Sequence, residues 1–171
     1  MGALHEQARE RGIVRVSLEV IVENTGAFAL YEKLGYRTVR DVEVWSLPAV
    51  EEDDSAGREV PAAEAHHIRE LRIGLEPWQR ADETVENYGD ARGLLAADGA
   101  ALYRAGSAVQ LLQLAGEAEP LLRSLRRLGT AVSVLNLPAD DVHAAAFRSL
   151  GATVVVRQHE MLFELSPPGG H

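Results

Sequence analysis

The side chains best suited to chemistry crowd into one short stretch, residues 16–36, VSLEVIVENTGAFALYEKLGY. Tyr31 is a phenol, and with an ordinary pKa of about 10 it keeps its proton at neutral pH until a strong base needs it. On residue type alone, a tyrosine at a helical core position is most often half-buried packing with a wet hydroxyl. Asn24 stands just before an apolar-periodic run, where its amide oxygen is suited to cap a helix. Glu19 and Glu23 are carboxylates that could take a proton from a nucleophile, although strand and loop glutamates are commonly just solvated. Elsewhere the patterns are weaker. His66 and His67 are neighbours on an expected helix and point about 100° apart, so they do not chelate together. His159 and Glu160 face opposite sides of an expected strand. Asp82–Glu83 and Asp140–Asp141 stand where helix caps belong. Trp78 and Tyr88 could line a groove, but anchoring in the core is the expected role. Neither a metal-ligand spacing nor a Ser–His–Asp order emerges, so no metal is expected. The absence of cysteine excludes disulfides, thiolate metal sites and cysteine nucleophiles.

The elements that must position these residues come from a chain of 171 residues, enough for one ordinary domain or two small ones. Its 46% hydrophobic content is globular. No apolar run reaches the roughly 18–20 residues of a membrane helix, and residues 1–12 are too charged for a signal peptide. A cytoplasmic protein is expected. With 26 acidic and 17 basic side chains and a net charge of -9, a nucleic-acid partner is not expected, because phosphate neutralisation supplies most of that affinity. The densest basic stretch, LLRSLRR at 121–127, has leucines at helical spacing and reads as a solvated helix face.

An acidic stretch, AVEEDDSAGR at 49–58, reads as an exposed linker between blocks 1–48 and 59–165, and SPPGGH at 166–171 as a disordered tail. Block one reads as a helix over 4–11 closed by Gly12, a strand over 13–22, a helix after Asn24 closed by Gly35, and a strand over 37–47. Ala27, Leu30, Tyr31 and Leu34 share one face of that second helix. Block two starts with a strand near Glu59–Val60 and a helix from Pro61 to about Gly74. A weaker helix falls within 75–90. Strands follow near 93–97, 100–105 and 108–115, with Asp98–Gly99 as a tight turn. A helix at 119–128, a strand at 130–137, a helix at 141–150 and a long strand at 152–165 complete the order.

The blocks are related. Displaced by 116 residues, 16–36 lies on VSVLNLPADDVHAAAFRSLGA (132–152) without a gap. Val16 meets Val132, Ser17 meets Ser133, Leu34 meets Leu150 and Gly35 meets Gly151, while Tyr31 falls on Phe147 and Asn24 on Asp140. Duplication is the better account of this register.

The segment N-x-x-A-x-x-L-Y-E-K-L-G-Y from Asn24 to Tyr36, with the strand V-S-L-E-V before it, resembles the C-terminal signature of the GNAT family of acetyl-CoA-dependent N-acyltransferases. The order of elements in block two is similar to a GNAT domain as well. The resemblance implies a mixed α+β (α/β) fold: a GNAT-like mixed central sheet flanked by helices, present as a partial first copy and a nearly complete second copy. It implies acetyl-CoA as co-substrate and an amine of a small molecule or peptide as acceptor. It further implies that the acyl group lies along strand 14–22, so that Val20, Val22, Asn24 and Ala27 are the cofactor-binding residues. Tyr31 becomes the general acid that protonates the departing thiolate, with Glu19 and Glu23 as candidate bases.

The sequence also departs from the family. GNAT proteins bind pyrophosphate with an R/Q-x-x-G-x-G/A loop before the signature strand, where helix N–H groups cradle the anion. Block one starts after that loop, inside the helix. Block two reads LAGEAEPLL at the matching place, with one glycine, two glutamates and a proline that removes an N–H donor. With Phe147 in place of the tyrosine, block two is expected to be a non-catalytic copy. Block one is too small to stand alone. Docking on block two, a homodimer that completes the partial first domain, or a longer parent chain is expected. The alternative function is a catalytically inactive GNAT-like module that binds a ligand or partner chain.

Overall fold

The computed structural model describes residues 2–51, 57–65, 68 and 76–165. Its elements are α1 (Gly2–Glu10), β1 (Arg15–Ile21), α2 (Thr25–Lys33), β2 (Arg37–Pro48), β3 (Arg58–Pro61), a short 3-10 turn (Ala62–Ala65), α3 (Asp82–Glu86), β4 (Arg92–Ala96), β5 (Gly99–Arg104), β6 (Val109–Gly116), α4 (Ala118–Leu125), β7 (Ala131–Pro138), α5 (Ala144–Ser149) and β8 (Thr153–Glu164). The fold is mixed α+β. Hydrogen bonding orders the strands β1-β8-β2-β7-β6-β5-β4-β3 in a mixed sheet of eight. By contacts the chain forms two compact units, residues 1–42 with 157–171, and residues 43–156, so β2 and β8 each contribute to both.

In the first unit β1 pairs antiparallel with β8, from Arg15 opposite Glu164 to Ile21 opposite Gln158. β8 therefore covers one edge of β1, and among the described residues the other edge has no strand neighbour. Side chains alternate across a strand. Val16, Leu18 and Val20 join Tyr36, Met161, Phe163, Phe28, Tyr31 and Leu34 in one apolar cluster. Ion pairs join Arg37 to Glu164 and Arg40 to Glu160, and His159 Nδ1 lies 2.7 Å from the Asp41 carboxylate. Gly12 and Gly35 close α1 and α2 with φ of 72° and 90°, the left-handed conformation a helix C-terminus favours. Gly35 is further constrained, since a Cβ there would lie 3.0 Å from the Phe163 ring.

The second unit has two apolar clusters. The larger joins Trp45 and Leu47 to Leu121, Leu122 and Leu125 of α4, to Val132 and Val134 of β7, and to Phe147 of α5. The smaller gathers Val60, Ile68, Val85, Leu102 and Leu112. Each such large side chain contributes about 1.5–3 kcal/mol on burial. β6 and β7 are parallel and pair only from Val109–Val132 to Leu111–Val134, although they run on to Gly116 and Pro138.

Several local expectations change. The β4–β5 turn is Ala97–Asp98, since Ala96 pairs with Gly99. A Cβ on Gly99 would approach the Ala115 and Glu117 carbonyl oxygens at 3.0 and 2.8 Å, so the strand neighbours fix that glycine's place. Pro61 ends β3 instead of starting a helix, and its removed N–H suits a strand end as well as a first helical turn. Ile68 is helical, while most of the expected helix to Gly74, including His66 and His67, lies outside the described residues, as does most of the acidic linker. Trp78 is 50% exposed and does not anchor the core. Tyr88 does lean on the smaller cluster, with Arg104 over its ring at 4.5 Å. The long strands expected at 37–47 and 152–165 are both continuous, and the bounds of β8 are those of β2 displaced by 116 residues.

Candidate active site

Asn24 ends the turn after β1. Its side-chain oxygen accepts the Ala27 N–H at 3.1 Å, which makes it the N-cap of α2. Its amide nitrogen and the exposed first turn of α2 remain open, and a Cβ on Gly26 would meet nothing within 4 Å. This is the positive end of a helix, where backbone N–H groups favour an acceptor or anion. Val20 is 3% exposed, its side chain belongs to the apolar cluster and its backbone faces His159 of β8, so it offers nothing to the open edge of β1. Val22 is exposed in the turn, and Ala27 is half-buried against the cluster.

Tyr31 sits two turns along α2, half-buried, with its ring in the same cluster. Among the described residues its hydroxyl has no hydrogen-bond partner. Glu19 does not join it. Alternation puts Glu19 on the face of β1 opposite Val20, and one of its carboxylate oxygens is buried without a partner. Glu23 is exposed in the turn beside Asn24. The structure thus brings Asn24, Ala27 and Tyr31 onto one helix beside β1 and leaves Glu19 apart from them.

Two aromatic neighbours carry no role in the sequence reading, although Tyr36 closes the motif that begins at Asn24. Tyr36 is 3% exposed and lies edge-on to Tyr31 with ring centroids 5.5 Å apart. Burial, and then the nearby Tyr31 phenol, raise the Tyr36 pKa above its ordinary value. The Tyr36 hydroxyl is 2.9 Å from His5 Nε2. His5 lies in a helix with no visible motif, so the sequence carried no signal for this contact.

The matching positions of the second unit are occupied by its own groups. Where β6 and β7 part, Gln113 is fully buried and donates its amide to the Arg80 carbonyl at 2.7 Å and to Asp82 at 2.8 Å. Gly116, the lone glycine where a phosphate loop would begin, has φ 75°, and the next N–H, of Glu117, donates to the Asp98 carbonyl at 2.8 Å. Glu119 pairs with Arg123 at 2.8 Å. His143 contacts Asp141 at 2.9 Å and the Gly116 carbonyl at 3.2 Å. Burial works against the Asp141 charge, but hydrogen bonds from the His143 ring and backbone outweigh it and hold that carboxyl below the usual range. Phe147 is fully buried against Trp45 with centroids 5.8 Å apart, so the tyrosine's counterpart is a core residue.

Among the described residues no cluster of three or more histidine or acidic side chains could hold a metal ion, and no helix is long and apolar enough to cross a membrane.

A strand, a capped helix and a half-buried phenol thus lie together on a mixed sheet. Residues 1–36 match the model of the acetyltransferase (GNAT) family. The fold is similar to a GCN5-related N-acetyltransferase from Sphaerobacter thermophilus, at 17% identity and a TM-score of 0.60, over 91% of this chain and 62% of that one. It is similar to another from Kribbella flavida, at 21% identity and a TM-score of 0.54, over 95% and 46%. It also resembles a putative acetyltransferase from Pyrococcus horikoshii, at 17% identity and a TM-score of 0.64, over 97% and 58%. The chain therefore spans about half to three fifths of the length of these structures. No functionally curated protein matches it. The family match thus covers the first 36 residues, and the likeness of the rest is one of fold.

Proposed function

We propose that the chain is a GNAT-type N-acyltransferase that moves an acetyl group from acetyl-CoA to an amine of a small molecule or peptide, with its site in the first unit. The observation that carries this is Tyr31, a half-buried phenol with no hydrogen-bond partner among the described residues, on the helix capped by Asn24 and in one apolar cluster with Val16, Leu18 and Val20 of β1. The Asn24 amide and the Ala27 turn fit an amide-bearing arm, because they offer polar groups beside an apolar wall, whereas the Val22 N–H is already given to the Arg157 carbonyl. Bound acetyl-CoA supplies the activated thioester. Tyr31 donates its proton to the leaving sulfur, and Glu23, the exposed carboxylate of the turn, is the better-placed candidate base. The R/Q-x-x-G-x-G/A form occurs in the second unit as Q-L-A-G-E-A at 113–118, where the Gln113 amide is given to the Arg80 carbonyl and Asp82 and the Glu117 N–H to the Asp98 carbonyl.

The repeated element bounds support a tandem origin, with the second unit as a non-catalytic copy whose opening Gln113, Arg80 and Asp82 fill. The free edge of β1 supports a homodimer that completes the sheet there, and the acidic, cysteine-free composition supports a cytoplasmic setting.

Calorimetry with acetyl-CoA, with the oligomeric mass recorded in the same buffer, tests the reading. Micromolar binding weakened by Asn24→Ala is expected. Tyr31→Phe should keep binding and lower turnover by roughly a hundredfold or more. No binding at millimolar acetyl-CoA sinks the proposal.

A further inference from the structure

His5 and Tyr36 make a buried polar contact that neither the sheet nor the acyl-transfer chemistry explains. His5 is 6% exposed and Tyr36 3%. The His5 ring stacks on Phe163 with centroids 4.3 Å apart and planes 12° apart, and Tyr36 touches the same phenylalanine at 5.3 Å. Tyr36 then meets Tyr31 at 5.5 Å with an interplanar angle of 66°. A continuous run of rings therefore leads from α1, over β8, through the residue just before β2, to the proposed proton donor on α2.

The physical need for such a run is plain. The Tyr31 hydroxyl bonds to nothing among the described residues, so only contacts with its ring can set its direction. Aromatic pairs prefer edge-to-face arrangements and hold them by a definite orientational energy. The restraint is only as firm as the Tyr36 ring itself. That ring is fixed by its hydroxyl, because a buried phenol and imidazole lose a full desolvation penalty if their hydrogen bond breaks. The titratable groups that face Tyr36 are His5 from α1 and Tyr31 from α2, while β8 presents Phe163, which does not titrate. Tyr36 keeps its proton, since burial and Tyr31 both disfavour its phenolate. It donates to a neutral His5 or accepts from a protonated one, and the ring stays in place in both cases.

We propose that His5 and Tyr36 are positioning residues for Tyr31: their hydrogen bond locks the Tyr36 ring, and the edge-to-face contact of that ring sets the direction in which Tyr31 offers its proton. This rests on Tyr31 as the proton donor of the reading above.

The test uses the whole chain with ring-labelled tyrosine, followed by NMR, together with steady-state acetyl transfer from acetyl-CoA. His5→Phe keeps the ring stacking but removes the hydrogen bond, Tyr36→Phe removes the hydroxyl alone, and His5→Gln keeps an amide able to bond the phenol. In His5→Phe and Tyr36→Phe the Tyr31 ring signal is expected to move toward that of a free tyrosine and to lose order. Unchanged Tyr88 and Tyr103 signals show that the rest is folded. Turnover should fall roughly ten- to a hundredfold at unchanged acetyl-CoA KM, as for a misplaced catalytic group. His5→Gln should restore both the signal and the rate. An unmoved Tyr31 signal in both phenylalanine variants overturns the proposal, as does a loss confined to KM. If Tyr31→Phe turns over like the parent, the proton-donor reading falls on its own, and the ring signals still decide whether His5 and Tyr36 orient Tyr31.

Discussion

Gly116 lies so close to Asp98 that a Cβ on it would fall 2.1 Å from the Asp98 carbonyl oxygen. The glycine that sequence places at a vestigial phosphate loop is therefore a packing glycine, pressed on the β4–β5 turn with φ 75°. Gly116→Ala is expected to cost about 2 kcal/mol or more, since left-handed backbone strain of 1–2 kcal/mol adds to the clash. Urea unfolding measures it, and a cost under about 0.5 kcal/mol would contradict this geometry.

Asn24 has a structural duty that is separable from any cofactor contact. Asn24→Ala should lower stability by about 1 kcal/mol, and Asn24→Asp should retain it, because a carboxylate accepts the same N–H at the positive end of α2. Thermal melts of both variants check this. Equal loss in the two would remove the cap from the account.

Tyr103 is fully buried and donates its hydroxyl to Glu59 at 2.8 Å. Burial first, and then the Glu59 carboxylate, push its pKa up to about 12. A phenol whose folded pKa is raised contributes stability in full below the unfolded value near 10, and loses it as pH rises through the folded value. Stability measured by denaturant should thus fall between about pH 10 and 12, and Tyr103→Phe should flatten that fall.

Asp141 has the opposite sign. Its folded pKa is lowered despite burial, because the His143 ring and backbone N–H stabilise the carboxylate. The resulting stability is present above the ordinary carboxylate pKa and is lost as pH falls through the depressed value. Asp141→Asn should be less stable than the parent at neutral pH, with the difference shrinking in strong acid. A pH-independent difference would show that the carboxylate charge contributes nothing.

The local elements of the first unit were legible because their signals are local. Asn24 caps the turn it precedes, Gly12 and Gly35 take the left-handed backbone that ends a helix, and alternation marks β1 and β2. The bounds of β8 are those of β2 displaced by 116 residues. Trp78 was misplaced because an isolated indole carries no periodicity to say which face it takes, and the structure leaves it half-exposed.

Sequence by itself determined most strands, the Asn24 cap and the candidate phenol, all of which depend on residues within a few positions of one another, whereas the caps expected at Asp82 and Asp140 fall to Ala81 and His143. Only the tertiary structure decided what those residues meet. Val20 turned into the core, Glu19 fell on the far face of β1, Gln113 met Arg80 and Asp82, and His5 found Tyr36 across 31 residues of chain. Such contacts arise from strand pairing and from the burial of polar groups that must find partners wherever the chain brings them. Their energy belongs to pairs distant in sequence, and no local pattern of residue types encodes it.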